Sequence, residues 1–142
     1  MGHEPVQPQR YSQAVSFFES LTKPSWIPPD WAFPAAWFTL WTLQLFAAGM
    51  LAASERNGRG LALGLLGAQF IVAVLWQAAV FGPGRLRLAA WWLVAVLVLV
   101  VATVLAAARV ELKAALLIAP TIAWVSVATA LGFSLLRLNP GA

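Results

Sequence analysis

The residues of this sequence that are best suited to chemistry are aromatic rings, because eight tryptophans occur among its 142 residues. Phe33, Trp37 and Trp41 recur every four residues, so on a helix they would share one face. Rings on one face offer a surface on which a flat apolar molecule can stack. The spacing therefore predicts a binding surface for such a molecule, although it fits equally well a set of rings that only packs helices together.

Two later segments repeat the combination of an aromatic ring with small or amide side chains. Gln69 and Trp76 share a helical face in one segment, and Trp124 shares a face with Ala128 and Leu131 in the other. An amide or a backbone group beside the rings would orient a bound ligand. The candidate ligand-binding residues are Phe33, Trp37, Trp41, Gln69, Trp76, Trp124, Ala128 and Leu131.

The side chains of ordinary catalysis and of metal binding are scarce and poorly placed. The chain has no cysteine, and its single histidine is His3. Acid–base and nucleophilic enzymes need a titratable group at the reacting atom, and a charge inside the membrane marks proton-coupled transport. The acidic residues all lie outside the long apolar segments: Glu4, Glu19, Asp30, Glu55 and Glu111. We therefore expect no catalytic residue of that kind, no metal site, no cofactor and no proton-coupled exporter.

Four long segments without any charged residue set the fold class. Each has about the 20 residues that cross the hydrocarbon of a bilayer, and so short a chain could not bury four such helices in a water-soluble fold. The sequence predicts an all-α integral membrane protein, a bundle of about four transmembrane helices. The spans are expected at residues 31–53, 61–81, 88–108 and 114–136. The basic residues are scattered over the connecting segments, which argues against a nucleic-acid-binding surface.

The N-terminal part is expected to fall into three segments before the helical domain at residues 31–137. Residues 1–10 are polar and are expected to be a disordered tail. Residues 11–22 are expected to form a short amphipathic helix at the membrane interface. Residues 23–30 are rich in proline and predict a stiff proline–tryptophan loop, after which Asp30 is expected to cap the first span.

This loop and the helices after it resemble the tryptophan-rich TspO/MBR family, which includes the translocator proteins or peripheral benzodiazepine receptors. The resemblance covers residues 17–139. In the loop and the first span its motif consists of Lys23-Pro24, Trp26, Pro28-Pro29, Trp31, Phe33 and Trp37. The matches in the later spans are Gln69, Trp76, Phe81-Gly82, Pro120, Ala123-Trp124, Ala128-Thr129, Leu131, Arg137 and Asn139.

The resemblance implies a membrane-embedded binding protein for porphyrins and similar tetrapyrroles, with sterols as further candidates. The family is a bundle of five spans, often dimeric, so contact with membrane lipid and a homodimer are both implied. Some bacterial relatives promote light-dependent breakdown of protoporphyrin, attributed to two tryptophans that match Trp37 and Trp124. The implied location is a membrane of a bacterial cell envelope. Carried over by position, the pocket would lie beneath residues 23–30 and would include Phe33, Trp37, Trp124, Ala128 and Leu131.

The sequence also departs from the family pattern. Residues 1–16 are too polar to cross a bilayer, so we expect the family's first span to be absent. The asparagine and tryptophan usual in the span at 61–81 are Ala73 and Val74, and an asparagine usual in the last span is Gly132. Phe133 stands where the cholesterol motif of the animal members has a tyrosine, which argues against sterol recognition by that route. Three expectations remain: a binding protein acting in transport or sensing, light-dependent porphyrin breakdown, and a structural relative that binds no ligand.

Overall fold

The computed structural model describes residues 19–79 and 85–140, and within these ranges the chain is helical and has no strand. Five helices follow in order: α1 (Ala32–Ala53), α2 (Arg59–Ala79), α3 (Leu86–Ala108), α4 (Leu112–Ile118) and α5 (Pro120–Leu138). The predictions for residues 1–10 and 1–16, and for most of the interfacial helix at 11–22, lie outside the described residues.

α1 begins without a side-chain cap. It starts at Ala32 with Trp31 at the N-cap position, so the prediction that Asp30 caps this helix is wrong. The loop turns once more before the helix starts, and the backbone amide of Ala32 donates to the carbonyl of Pro29 at 2.9 Å instead. The first residue of α1 is therefore bonded to the backbone of the proline–tryptophan loop and not to a capping side chain.

Two arginines form hydrogen bonds with backbone carbonyls near the other end of α1. The last carbonyls of a helix have no partner within it, and here the Arg59 guanidinium donates to the carbonyls of Ala52 at 3.0 Å and Ser54 at 2.7 Å. Arg56 donates to the carbonyl of Val110 at 3.1 Å. The loop after α1 is thus fastened to the loop that follows α3.

Pro120 divides the last span into two helices. Proline has no amide hydrogen and suits the first residue of a helix, and accordingly α4 ends at Ile118 while α5 begins at Pro120. Ala119 between them keeps helical backbone angles, with φ −53° and ψ −38°. The two helices therefore continue along one path, and Leu112–Leu138 counts as a single apolar span.

The surface of the bundle is suited to lipid. Four helical segments are long and apolar enough to cross a membrane. Phe38 is 74% exposed and Leu45 73% exposed, whereas the polar side chains of Gln44 and Gln69 are buried. Water-soluble proteins show the opposite distribution of large apolar and amide side chains. The prediction of an all-α membrane bundle of about four spans is confirmed.

The packing of the helices leaves one side of the bundle open. α3 lies centrally and contacts α2, α4 and α5, whereas α1 packs against α4 and α2 and touches α5 only slightly. At Gly132, α5 approaches α3 so closely that an added Cβ would lie 3.4 Å from the Cα of Ala90. Because α5 is drawn toward α3 while α1 follows α4, the helices α1 and α5 diverge and a groove forms between them.

Candidate ligand-binding groove

The groove between α1 and α5 has a volume of about 500 Å³ and a mainly apolar lining. This volume lies within the range of roughly 300–1,000 Å³ that is usual for small-molecule sites. None of the side chains that line it is ionisable. The lining residues are Trp31, Ala32, Ala35, Ala36, Thr39, Leu40, Pro120, Ala123, Trp124 and Val127.

Three of the candidate residues meet at the wall of this groove. The ring of Trp124 lies 5.5 Å from that of Phe33 and 6.5 Å from that of Trp37, measured between centroids, and both pairs are edge-to-face. Aromatic pairs prefer this geometry at such separations. Phe33 and Trp37 therefore hold the indole of Trp124 in place, and Trp124 itself borders the open volume.

The indole nitrogen of Trp124 is a hydrogen-bond donor without an acceptor. It is buried, and it has no hydrogen-bond partner among the described residues. Other indoles of the bundle are satisfied: Trp76 donates to the carbonyl of Ala89 at 3.1 Å, and Trp92 donates to that of Val72 at 2.9 Å. A buried donor left unpaired costs roughly 1–3 kcal/mol. An acceptor on a bound molecule would remove that cost.

A chain of buried polar side chains lies beside the groove. The amide of Gln44 donates to the hydroxyl of Thr121 at 2.9 Å. Gln69 donates one hydrogen to the amide oxygen of Gln44 and another to the carbonyl of Leu66. These bonds join α1, α2 and α5 in a part of the bundle where lipid cannot supply partners. The structure therefore places Gln69, a candidate ligand-binding residue, in contacts between helices.

The remaining candidates are distributed around the groove or away from it. The ring of Trp41 contacts those of Trp37 and Phe70 in tilted arrangements, with centroids 5.8 and 5.3 Å apart. Trp41 also borders a second, smaller apolar groove of about 230 Å³ between α1 and α2. Leu131 is buried in a cluster with Leu135. Ala128 is partly buried on α5, and Trp76 joins α2 to α3 through its indole.

The small residues that shape the groove were not among the candidates. Ala32, Ala35, Ala36 and Thr39 recur at intervals of three and four and share one face of α1. A face of small side chains beside a face of rings is the signal that could have identified them. In sequence terms it is weak, because small residues on a membrane helix more often permit close helix packing.

The sequence profile of the TspO/MBR family matches residues 6–138, almost the whole chain. The chain belongs to the TspO/MBR family. Protein CrtK of Rhodobacter capsulatus is 39% identical over 128 residues, which cover 89% of this chain and 80% of that protein. Tryptophan-rich protein TspO of Chlorobaculum tepidum is 34% identical over 131 residues, covering 87% and 80%. The human translocator protein is 30% identical over 138 residues, covering 92% and 79%.

The positions at which this TspO/MBR protein departs from the family pattern have distinct surroundings. Ala73 is buried, whereas Val74 is 39% exposed on the outer surface of α2. Gly132 is buried against the backbone of Ala90. An asparagine at position 132 would therefore have to push α5 away from α3. The glycine permits the close packing that draws α5 away from α1.

Proposed function

We propose that this TspO/MBR protein binds flat hydrophobic molecules of the tetrapyrrole class in the groove between α1 and α5. The ligand would enter from the lipid, lie against the small residues of α1 and stack on the ring of Trp124. The human relative is named a translocator protein, which suits such a step because translocation, like sensing, begins with binding. Transport and sensing are the two roles that the proposal allows.

The observation that carries the proposal is Trp124, whose ring borders an apolar groove and whose buried indole N–H has no partner among the described residues. Tetrapyrroles combine a broad ring face with a few accessible acceptor atoms, namely the oxygens of their peripheral carboxylates. One such acceptor could take the hydrogen bond of the indole while the macrocycle covers the apolar lining. Sterols match the apolar lining as well, but they offer only a hydroxyl as acceptor.

The test is a titration of the purified protein with protoporphyrin in detergent and in lipid nanodiscs. Trp124→Ala removes both the ring and the donor, so we expect its affinity to fall by at least roughly tenfold. Trp91→Ala is the matched control, because Trp91 is 58% exposed on α3 and contacts Phe133 edge-to-face outside the groove. Equal affinity in the two variants would show that the groove is not the binding site.

The same titration also tests two other hypotheses, that the chain binds no ligand and that it acts as a homodimer. If no tetrapyrrole or sterol binds saturably, the chain is a structural relative without a ligand. Measuring the mass of the complex in the same detergent shows whether the binding unit is a homodimer, as the family resemblance implies.

Light-dependent porphyrin breakdown is the second candidate function. The observation that favours it is the contact between Trp37 and Trp124, whose ring centroids lie 6.5 Å apart. Two indoles in contact beside a bound chromophore could exchange charge without any titratable base. Illumination of the complex should then bleach protoporphyrin faster than in detergent alone, and Trp37→Phe should slow this bleaching. Equal rates in protein and in detergent would exclude this activity.

A further inference from the structure

The side chain of Asn139 binds a backbone segment from the far end of the chain. Its amide oxygen accepts a hydrogen bond from the backbone amide of Thr22 at 2.7 Å. Its amide nitrogen donates to the carbonyl of Thr22 and to that of Leu135, both at 2.8 Å. Asn139 thus pairs with both backbone groups of Thr22 while remaining bonded to α5.

The segment that Asn139 holds leads directly to the groove. Leu21 is buried in one apolar cluster with Leu131 and Leu135, and Ile27 and Phe33 pack against the same cluster. Through Phe33 the cluster reaches the ring of Trp124. The loop after Thr22 therefore runs along the end of α5 and passes into the wall of the groove.

The attachment of the loop adds to the few contacts that join α1 to α5. The first turn of α1 has no side-chain cap, and α1 and α5 touch only slightly. The Gln44–Thr121 hydrogen bond joins the two helices on one side of the groove residues of α1. On the other side, the Thr22–Asn139 pair joins the loop before α1 to the end of α5, so the two polar links bracket the groove.

We propose that Asn139 is the positioning residue of the groove. It holds the loop, and with the loop the beginning of α1, against α5, and in doing so fixes the places of Trp31 and Phe33 beside a bound ligand. The role of this residue in ligand retention rests on the proposed function. The attachment of the loop to α5 is independent of the proposed function, and it can be measured without a ligand.

The experiment compares Asn139→Ala and Asn139→Asp with Thr22→Ala. Asn139→Ala removes all three hydrogen bonds, whereas Asn139→Asp keeps an acceptor for the Thr22 amide and loses both donated bonds. Thr22→Ala is the matched control, since Asn139 binds the backbone of Thr22 and leaves its side chain unused. Two rates are measured: backbone amide exchange of residues 19–31 without ligand, and dissociation of protoporphyrin from the loaded protein.

We expect both rates to rise on the order of tenfold in Asn139→Ala, to rise also in Asn139→Asp, where a carboxylate oxygen would face the carbonyls of Thr22 and Leu135, and to stay unchanged in Thr22→Ala. If Asn139→Ala does not fold, the comparison rests on Asn139→Asp alone. Both of its rates must then be higher than those of Thr22→Ala. Unchanged amide exchange would overturn the inference, and so would faster exchange with an unchanged rate of ligand release.

A third measurement decides the inference if protoporphyrin does not bind, an outcome that would defeat the proposed function alone. The chain has no cysteine, so Ala36→Cys gives one thiol in the lining of the groove. N-ethylmaleimide should then label this thiol several-fold faster in the double variant Ala36→Cys/Asn139→Ala than in the double variant Ala36→Cys/Thr22→Ala. Equal labelling rates would show that Asn139 does not position the groove.

Discussion

The side-chain amide of Gln44 donates a hydrogen bond to the hydroxyl of Thr121 across 2.9 Å, and the bond joins two helices that otherwise diverge. Gln44 is 4% exposed and Thr121 is 1% exposed, so water does not compete for either group. Thr121 directly follows Pro120 at the start of α5, and Gln44 lies beyond the small residues of α1. The bond between them therefore sets how far the helices separate at this end of the groove.

Replacing Thr121 by valine should destabilise the bundle. The change keeps the shape of the side chain but leaves a buried donor of Gln44 without its acceptor. Hydrogen bonds between membrane helices have measured values of roughly 0.6 kcal/mol on average and up to about 1.7 kcal/mol, and we expect a loss in that range. The free energy of unfolding in mixed micelles titrated with sodium dodecyl sulfate measures it.

Thr129→Val is the control for this experiment. The hydroxyl of Thr129 donates within its own helix to the carbonyl of Val125 at 2.7 Å, and that carbonyl can keep its helical partner. A loss of stability as large as that of Thr121→Val would mean that the bond between helices contributes nothing of its own.

Replacing Trp124 by phenylalanine should have opposite effects on the free and the loaded protein. The change keeps an aromatic ring but removes a buried donor that has no partner. The unloaded protein should become more stable by about 1 kcal/mol, whereas the affinity for protoporphyrin should fall by roughly tenfold because one hydrogen bond is lost. Thermal unfolding and ligand titration measure the two effects. Unchanged affinity would show that the ligand does not accept a bond from the indole.

The effect of a substitution at Gly132 on the stability of the bundle should depend strongly on the size of the new side chain. The Cβ of Gly132→Ala would meet Ala90 at ordinary van der Waals distances of 3.4 and 3.5 Å, and alanine favours the helix by about 1 kcal/mol. Gly132→Ala should therefore be neutral or stabilising, while Gly132→Leu should cost roughly 1–3 kcal/mol by forcing α5 from α3. Gly64→Leu is the control, because nothing lies within 4 Å of its added Cβ. Equal losses at positions 64 and 132 would contradict the close packing of α3 and α5.

The Thr22–Asn139 pair predicts the arrangement of the chain across the membrane. Because these residues bond to each other, the proline–tryptophan loop and the end of α5 must lie on the same side. Single cysteines from Ser25→Cys and Pro140→Cys should be labelled by an impermeant maleimide from one side of sealed vesicles. Asn57→Cys, in the loop between α1 and α2, should be labelled only from the other side. Labelling of the first two from opposite sides would contradict the fold.

The fold class and the number of spans could be predicted from the sequence because lipid imposes a simple requirement on each span. A segment that crosses the bilayer must be long, apolar and free of charge, and each of these properties is visible in a single segment. The last span is an example. Pro120 has no amide hydrogen and divides this span into α4 and α5, yet the two helices still cross the bilayer as one apolar segment. The start of α1 was harder, because it depends on how the loop turns before Ala32.

The site was predicted less completely, because a helical face does not reveal which helix it meets. Phe33, Trp37 and Trp124 were grouped with Gln69 and Trp76 by the same reasoning from spacing. The first three come together, whereas the polar groups of the other two are engaged in bonds between helices. Deciding between these outcomes requires the relative positions of all the spans. Those positions depend on distant contacts such as that of Gly132 with α3.

The groove is open along its length, and this affects how binding must be measured. Ala35 and Thr39 line it and yet remain exposed on the outer surface of the bundle, where acyl chains surround the protein. A guest therefore arrives by lateral diffusion after partitioning out of water, and the lipids around the protein compete with it for the same space. Apparent dissociation constants in bulk molar units should increase as vesicles are added, while the mole fraction of guest in the bilayer at half-saturation stays constant.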